Sequence, residues 1–406
     1  MFTTRKLQAG CLVAATVERL ESRFLLDAVT IQGTSGDDTI YVWNNGGTDY
    51  YQINSGSPQS TGLTDGLGTT LTVQGLGGAD TITVENDDVN TQVVSNCVLD
   101  GGAGNDTLEG GQGDDTLIGG TGGDYMQGRG GHDVADYSAR TNPVNVSLDG
   151  SANDGEAGEG DNVQTDIQEV WGGSGNDVLR ANSSSNIAAT LVGGNGNDSL
   201  FGAGNDDSLD GGAGNDTIRP GTGDDRIVGG AGTDLLDYSE RTNKVDIYLD
   251  DSNWNGDRLI LSEQDQIPYQ DVENASGGSA GDEIRGNSSN NGLSGNGGSD
   301  SIWGAGGADG ISGGPGNDVL YGDDGGDSIW GDDGADELYG GAGNDYMYGG
   351  YGNDSLTGDS GNDYMMGNDD NDEFWAQDGY ADTINGGMGT DTVWSSDASD
   401  GITSVP

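Results

Sequence analysis

Gly313-Gly314-Pro315-Gly316-Asn317-Asp318-Val319-Leu320-Tyr321 decides the fold, because the same nine-residue pattern continues without a break on both sides. Gly322 to Trp330, Gly331 to Tyr339 and Gly340 to Tyr348 follow in frame, and Gly277 to Trp375 divides into eleven consecutive nonapeptides. A ten-residue variant, Ala376 to Asn385, and one more unit, Gly386 to Trp394, close the array. Four earlier units run from Gly101 to Asp136, and five run from Gly193 to Asp237 after an isolated unit at Gly172. Single copies stand at Gly33 to Tyr41 and Gly75 to Thr83. A fixed period overrides local readings, since each unit can bury an apolar face only by stacking on its neighbours.

The consensus is Gly-Gly-x-Gly-x-Asp-x-U-x, with U a large apolar residue. Glycines at positions one, two and four permit positive φ and close backbone approach, as a tight turn requires. Asn is common at position five, as in Asn317, Asn344 and Asn353, and tolerates the same left-handed region. Positions six to nine then read as a short strand. Its consistently apolar member is position eight: Ile302, Ile311, Leu320, Ile329, Leu338, Met347, Leu356, Met365 and Phe374. Two nonapeptides, turn-strand-turn-strand, make one coil, and successive coils stack as parallel strands about 4.8 Å apart. The expected fold is all-β: a parallel β-roll, or β-solenoid, in tandem blocks with short β inserts. Position-six aspartates eighteen residues apart should lie in adjacent turns on one edge.

Composition points the same way. The 406 residues include 80 Gly, 70 Asp and Glu and 13 Lys and Arg, for a formal net charge of -57. Self-repulsion on this scale opposes compaction unless cations screen it or sit within the structure. Nucleic acid is excluded as a partner, because phosphate binding needs clustered Lys or Arg. No apolar run approaches the ~20 residues of a transmembrane helix. The two cysteines, Cys11 and Cys97, provide no disulfide framework, and Cys97 reads as a small buried hydrophobe.

The repeat resembles the hemolysin-type, or RTX, calcium-binding nonapeptide. The resemblance implies that each pair of adjacent turns holds one Ca²⁺, so that several ions bind along the array. Carboxylates and turn carbonyls are the hard oxygen ligands this ion takes. In the third block the matching pairs are Asp282 with Asp300, Asp300 with Asp318, Asp318 with Asp336, Asp336 with Asp354, and Asp354 with Asp372. Its opposite edge pairs Asp309 with Asp327, Asp327 with Asp345, and Asp345 with Asp363. The second block offers Asp198 with Asp216, Asp207 with Asp225, and Asp216 with Asp234; the first offers Asp106 with Asp124, and Asp115 with Asp133. Asn291 replaces the aspartate opposite Asp309, so its site is expected to be weak or empty. The competing reading makes these aspartates turn-formers that bond only their own backbone. Turn chemistry alone, however, does not require carboxylate over Asn at the same phase.

At the N-terminus, Arg5 and Lys6 precede an apolar run from Cys11 to Val17. Leu20-Glu21-Ser22-Arg23-Phe24-Leu25-Leu26 resembles the LEPR-x-LL leader of large extracellular proteins of Planctomycetes type, with Ser22 at the proline. The chain thus divides into an export leader (1–28), a β-rich N-terminal region (29–100), repeat block 1 (101–136), a β insert (137–171), block 2 (172–237), a second insert (238–276), block 3 (277–394) and a polar tail (395–406). Asp136-Tyr137-Ser138-Ala139-Arg140-Thr141-Asn142 recurs as Asp237-Tyr238-Ser239-Glu240-Arg241-Thr242-Asn243. Both copies lead into an alternating strand, Val144 to Leu148 and Val245 to Leu249, that reads as a cap or strand extension.

No catalytic set can be assembled. The lone histidine, His132, occupies position five of a repeat, and the Gly-x-Gly-x-x-Gly strings open no helix after a strand. Trp303, Tyr321, Tyr339 and Trp375 at position nine fall on one face, with Trp330 and Tyr348 on the other. Such ladders either stack to stiffen each sheet or present a surface for extracellular polysaccharide or self-association. The expectation is a secreted, non-enzymatic calcium-binding protein, structural or adhesive at the cell exterior. The alternative is the secretion or folding module of an RTX toxin or exoenzyme.

Overall fold

The computed structural model describes residues 29–44, 48–64, 70–85, 96–184, 186–249, 265–267 and 271–403, with short strands at Thr16–Val17 and Gly256–Asp257. The leader motif and Cys11 lie outside the described residues. Among the described residues every regular element is a β-strand, and no helix is long and apolar enough to cross a membrane. The chain forms two compact units, Met1–Gly204 and Asn205–Pro406.

In the first unit, Val29–Gln32, Leu71–Gly77, Cys97–Ala103, Thr116–Thr121, Val134–Asp136, Glu169–Trp171 and Thr190–Asn195 pair in parallel, in that order. Thr39–Asn44, Thr81–Glu85, Thr107–Glu109, Tyr125–Gln127 and Asn162–Val163 form a second parallel stack. The N-terminal region is therefore already solenoid. The repeat copies at Gly33 and Gly75 mark true turns, and the antiparallel strands Thr48–Ile53 and Gln59–Thr64 are an excursion from it.

In the second unit the eleven-repeat array builds two parallel sheets. One stacks Gly292–Ser294, Gly310–Pro315, Ser328–Asp333, Tyr346–Tyr351, Tyr364–Asp369, Thr383–Met388 and Gly401–Thr403. The other stacks Glu283–Arg285, Ser301–Trp303, Val319–Tyr321, Glu337–Ala342, Ser355–Ser360, Glu373–Ala376 and Thr392–Ser396. The offset between regular coils is eighteen residues, as in Ile311↔Ile329 and Leu320↔Leu338. Identical positions therefore lie above one another.

This register explains the core. Every position-eight residue from Ile302 to Phe374 is fully buried, whereas positions seven and nine flank it at the surface. Strands begin at position seven, one residue later than expected, and in Ser328–Asp333 or Tyr346–Tyr351 they continue into position three of the next unit. The fourth-position glycines set the coil spacing. Gly343 has φ 151°, and a Cβ there would lie 1.3 Å from the Gly325 carbonyl oxygen of the coil before. No side chain fits so close a backbone approach.

The two inserts are strand excursions. Val144–Ser147 pairs in parallel with Val178–Arg180 and antiparallel with Gly155–Glu156. Val245–Tyr248 does the same with Glu283–Arg285 and Gly256–Asp257.

Candidate metal centre

Position six ends the turn and precedes the strand, which directs its side chain inward. All the candidate aspartates, from Asp106 to Asp372, are at most 3% exposed. They lie in adjacent turns, buried beside the turn glycines. A buried carboxylate needs hydrogen bonds or a counter-ion, and half of that need is met by a ladder along the coil stack.

In the third block the Asp282 N–H donates to Asp300 Oδ1 (2.6 Å), Asp300 to Asp318 (2.7 Å), Asp318 to Asp336 (2.8 Å), Asp336 to Asp354 (2.9 Å) and Asp354 to Asp372 (3.0 Å). On the opposite edge Asp309 donates to Asp327, Asp327 to Asp345 and Asp345 to Asp363, at 2.8, 2.8 and 2.9 Å. Earlier blocks repeat the link at Asp106 to Asp124, Asp115 to Asp133, Asp207 to Asp225 and Asp216 to Asp234. Asp198 Oδ1 accepts from Asp177 N–H at 2.7 Å. Each expected pair within a unit is thus brought together, by a bond from backbone to carboxylate.

The second oxygen is the informative one. Oδ2 of Asp106, Asp124, Asp133, Asp234 and of every position-six aspartate from Asp300 to Asp372 is buried without a hydrogen-bond partner. Each points at the first glycine of its own repeat. A Cβ on Gly331 would lie 2.5 Å from Asp336 Oδ2 and 2.6 Å from the Gly349 carbonyl oxygen one coil on; at Gly349 the distances to Asp354 Oδ2 and Gly367 O are 2.3 and 2.8 Å. Carboxylate and carbonyl oxygens converge there without thiol or imidazole, a donor set that fits Ca²⁺ and not zinc or copper.

Burial, with neighbouring carboxylates adding to it, pushes Asp309, Asp318, Asp354 and Asp363 up to about 7 and Asp300, Asp327, Asp336 and Asp372 up to about 6, against the lowering bond from the coil before. The fold holds these groups at a cost when they are ionised without a cation.

The repeat frame matches the model of the RTX calcium-binding nonapeptide repeat over residues 30–44, 100–135, 169–188, 188–218, 221–240, 276–311, 312–347, 339–374 and 378–402, more than half of the chain. The chain belongs to the RTX repeat family. No curated protein matches it.

Several RTX positions are closed by the protein's own groups. Asp115, Asp177 and Asp282 accept on Oδ2 from the second-position N–H of Gly111, Gly173 and Gly278 (2.7, 2.6 and 2.5 Å). Asn291 keeps the ladder through its N–H to Asp309 Oδ1 (2.7 Å), while its Nδ2 donates to the Glu273 carbonyl (2.7 Å). An amide thus occupies the place of a cation.

The inserts do likewise. Asp161 Oδ1 accepts from Asp124 N–H (2.9 Å) as a position-six aspartate would, but Tyr137 O–H donates to its Oδ2 (3.0 Å). Arg140 beside it bonds the Gly120 carbonyl, Glu156 and Glu159. Tyr238, Asp265, Arg241 and the Gly221 carbonyl repeat the arrangement. The recurring Asp-Tyr-Ser-x-Arg-Thr-Asn motif therefore supplies a hydroxyl and a guanidinium to the turn edge.

Sequence reasoning passed over the buried position-six aspartates of the single repeat copies and of the last two units: Asp38, Asp80, Asp177, Asp382 and Asp391. The single repeat copies at Gly33, Gly75 and Gly172 and the last two units already carried that signal. Asp154, Asp161 and Asp265 had none, because the inserts lack the glycine frame. Asp38 needs no cation, since Thr34 and Asn54 occupy both of its oxygens.

The aromatic ladders stack along the sheets. Trp303 and Tyr321 are parallel at 5.5 Å, Tyr321 and Tyr339 at 4.7 Å, and Trp330 and Tyr348 at 6.1 Å. Thr357 separates Tyr339 from Trp375. His132 is half exposed, 3.6 Å from Glu169, and Cys97 is buried.

Proposed function

We propose that this chain is a secreted, non-enzymatic calcium-binding protein, structural or adhesive at the cell exterior, whose solenoid closes when Ca²⁺ enters the turns between coils. The observation that carries the reading is the row of buried Oδ2 atoms without partners, which at Asp106, Asp300, Asp309, Asp327, Asp336, Asp345, Asp354 and Asp372 face a glycine carbonyl of the next coil. The position-six aspartates and the first-position glycine carbonyls would hold the ions. Calcium bound there supplies positive charge that the chain itself lacks. Because the site exists only when adjacent coils are stacked, binding free energy is folding free energy.

Extracellular calcium modules work at about 0.1 to 1 mM, so the chain would be loose in a calcium-poor cytoplasm and rigid outside. The aromatic ladders are read as stiffening, because their rings face one another along the stack. Circular dichroism during calcium titration after chelation tests the reading. A β signal that rises with calcium and is lost on chelation is expected; one indifferent to calcium refutes it.

A further inference from the structure

One coil departs from the frame. Ala376 to Asn385 has ten residues, with an extra residue between its turn glycine, Gly379, and its position-six aspartate, Asp382. Ala376 stands where the array has glycine. The ladder crosses this coil unbroken: the Asp363 N–H donates to Asp382 Oδ1 (2.8 Å), and Oδ2 of both Asp363 and Asp382 is buried without a partner. What changes is a third carboxylate. Asp378 joins Asp363 and Asp382, with one oxygen from each lying within 4.8 Å of the others.

Asp324 and Asp333 hold the same third position of the turn in regular units, yet among the described residues no other three acidic groups converge in this way. The extra residue is the difference. Asp378 is also fixed in place: Oδ1 accepts from Tyr380 N–H (2.8 Å), Oδ2 from Gly361 N–H (3.0 Å), and its own N–H donates to Asp397 Oδ2 (3.2 Å). It lines an open cavity of about 370 Å³ together with Asp359, Ser360 and Trp375. That cavity opens Asp378, the least buried member of the cluster, to ion and water.

We propose that Asp378 adds a third carboxylate to the Asp363–Asp382 step, making it a cation site stronger than the regular two-carboxylate steps and suited to a hard divalent or trivalent ion. The inference rests on the calcium reading of the array. Three carboxylates leave a net negative charge around a divalent ion and balance a trivalent one, and charge count sets affinity among oxygen-donor sites. The site sits near the end of the stack, where it would be the last to release its ion and would hold the terminal coils in place.

Terbium(III) supplies the test, because its luminescence is excited through a nearby indole and Trp375 borders the same cavity. In the full-length chain a first, tight phase of emission is expected. Trp375→Phe should dim that phase, and Asp378→Asn should shift it to about tenfold higher terbium, with Asp378→Glu restoring it. Dichroism at saturating calcium checks that each variant is folded. An Asp378→Asn titration that overlays the native one overturns the proposal while leaving the array's binding intact. If the native chain binds neither calcium nor terbium anywhere, the calcium reading fails as well.

Discussion

Asp336→Asn separates a calcium ligand from a turn-former, because the two roles give different signs. In the native chain Asp336 Oδ1 accepts the Asp318 N–H at 2.8 Å, its own N–H donates to Asp354 Oδ1 at 2.9 Å, and Oδ2 is buried with no partner. An asparagine has the same N–H and Oδ1 for both ladder bonds, and Asn291 shows that its N–H still donates to the next coil. Without calcium the ionised carboxylate is a burden: burial raises Asp336 from 3.8 to about 6. A shift of about two units is at most about 3 kcal/mol, and about half of that once water and salt screen the turn. Removing the charge should therefore make the chelated chain no less stable, and more stable by about 1 kcal/mol or more. With calcium the sign reverses. Asp336 serves the steps toward both Asp318 and Asp354, and taking one partner from a buried charge pair costs about 3 kcal/mol or more. Urea unfolding followed by dichroism, in chelator and at saturating calcium, reads both values, with the calcium midpoint of folding as a third. Equal destabilisation in both media, or an unchanged calcium midpoint, would refute the ligand role.

Three further perturbations bear on other parts of the argument. Asp318 and Asp354 rise from 3.8 to about 7 in the fold, so the native state holds more protons than the unfolded state between those values. Their contribution to the calcium-free chain is complete below about pH 4 and lost as pH rises through about 7. Dichroism in chelator should show more β structure at pH 4.5 than at 7.5, and the reverse ordering would contradict the burial argument. Tyr137→Phe removes the hydroxyl that bonds Asp161 Oδ2 and should cost about 1 to 3 kcal/mol by urea unfolding, in calcium as well as in chelator. Gly343→Ala places a methyl 1.3 Å from the Gly325 carbonyl, whereas Gly310→Ala meets nothing within 4 Å. The first should abolish cooperative melting and the second should shift it little.

The proposed calcium dependence and the fold share one physical origin. A solenoid with one large apolar residue per nine has little else to hold its coils together, and its interior carboxylates oppose stacking until something positive meets them. The protein supplies its own positive or donor groups at Asn291, Tyr137 with Arg140, and Tyr238 with Arg241. From Asp300 to Asp372 the second oxygens are left facing each turn.

The sequence by itself determined the coil and its contents. A nine-residue period with glycine, aspartate and one apolar residue at fixed phases admits only one way to bury Ile302 to Phe374 together, and parallel stacking at eighteen residues follows from it. The chemistry of the turns was legible for the same reason: identical residues at identical phases meet in space. The tertiary structure decided which of those turns are open. Asp336 and Asp282 look alike in the repeat, yet Oδ2 of Asp336 is unpartnered while that of Asp282 accepts the Gly278 N–H. Such a difference depends on the path of the neighbouring coil, which no phase encodes. Likewise the pairing of Tyr137 with Asp161, and of Asp378 with Asp363 and Asp382, joins residues off the repeat's phase or at the ten-residue coil. Periodicity predicts what recurs, and contacts made where the period breaks emerge only when the chain is folded.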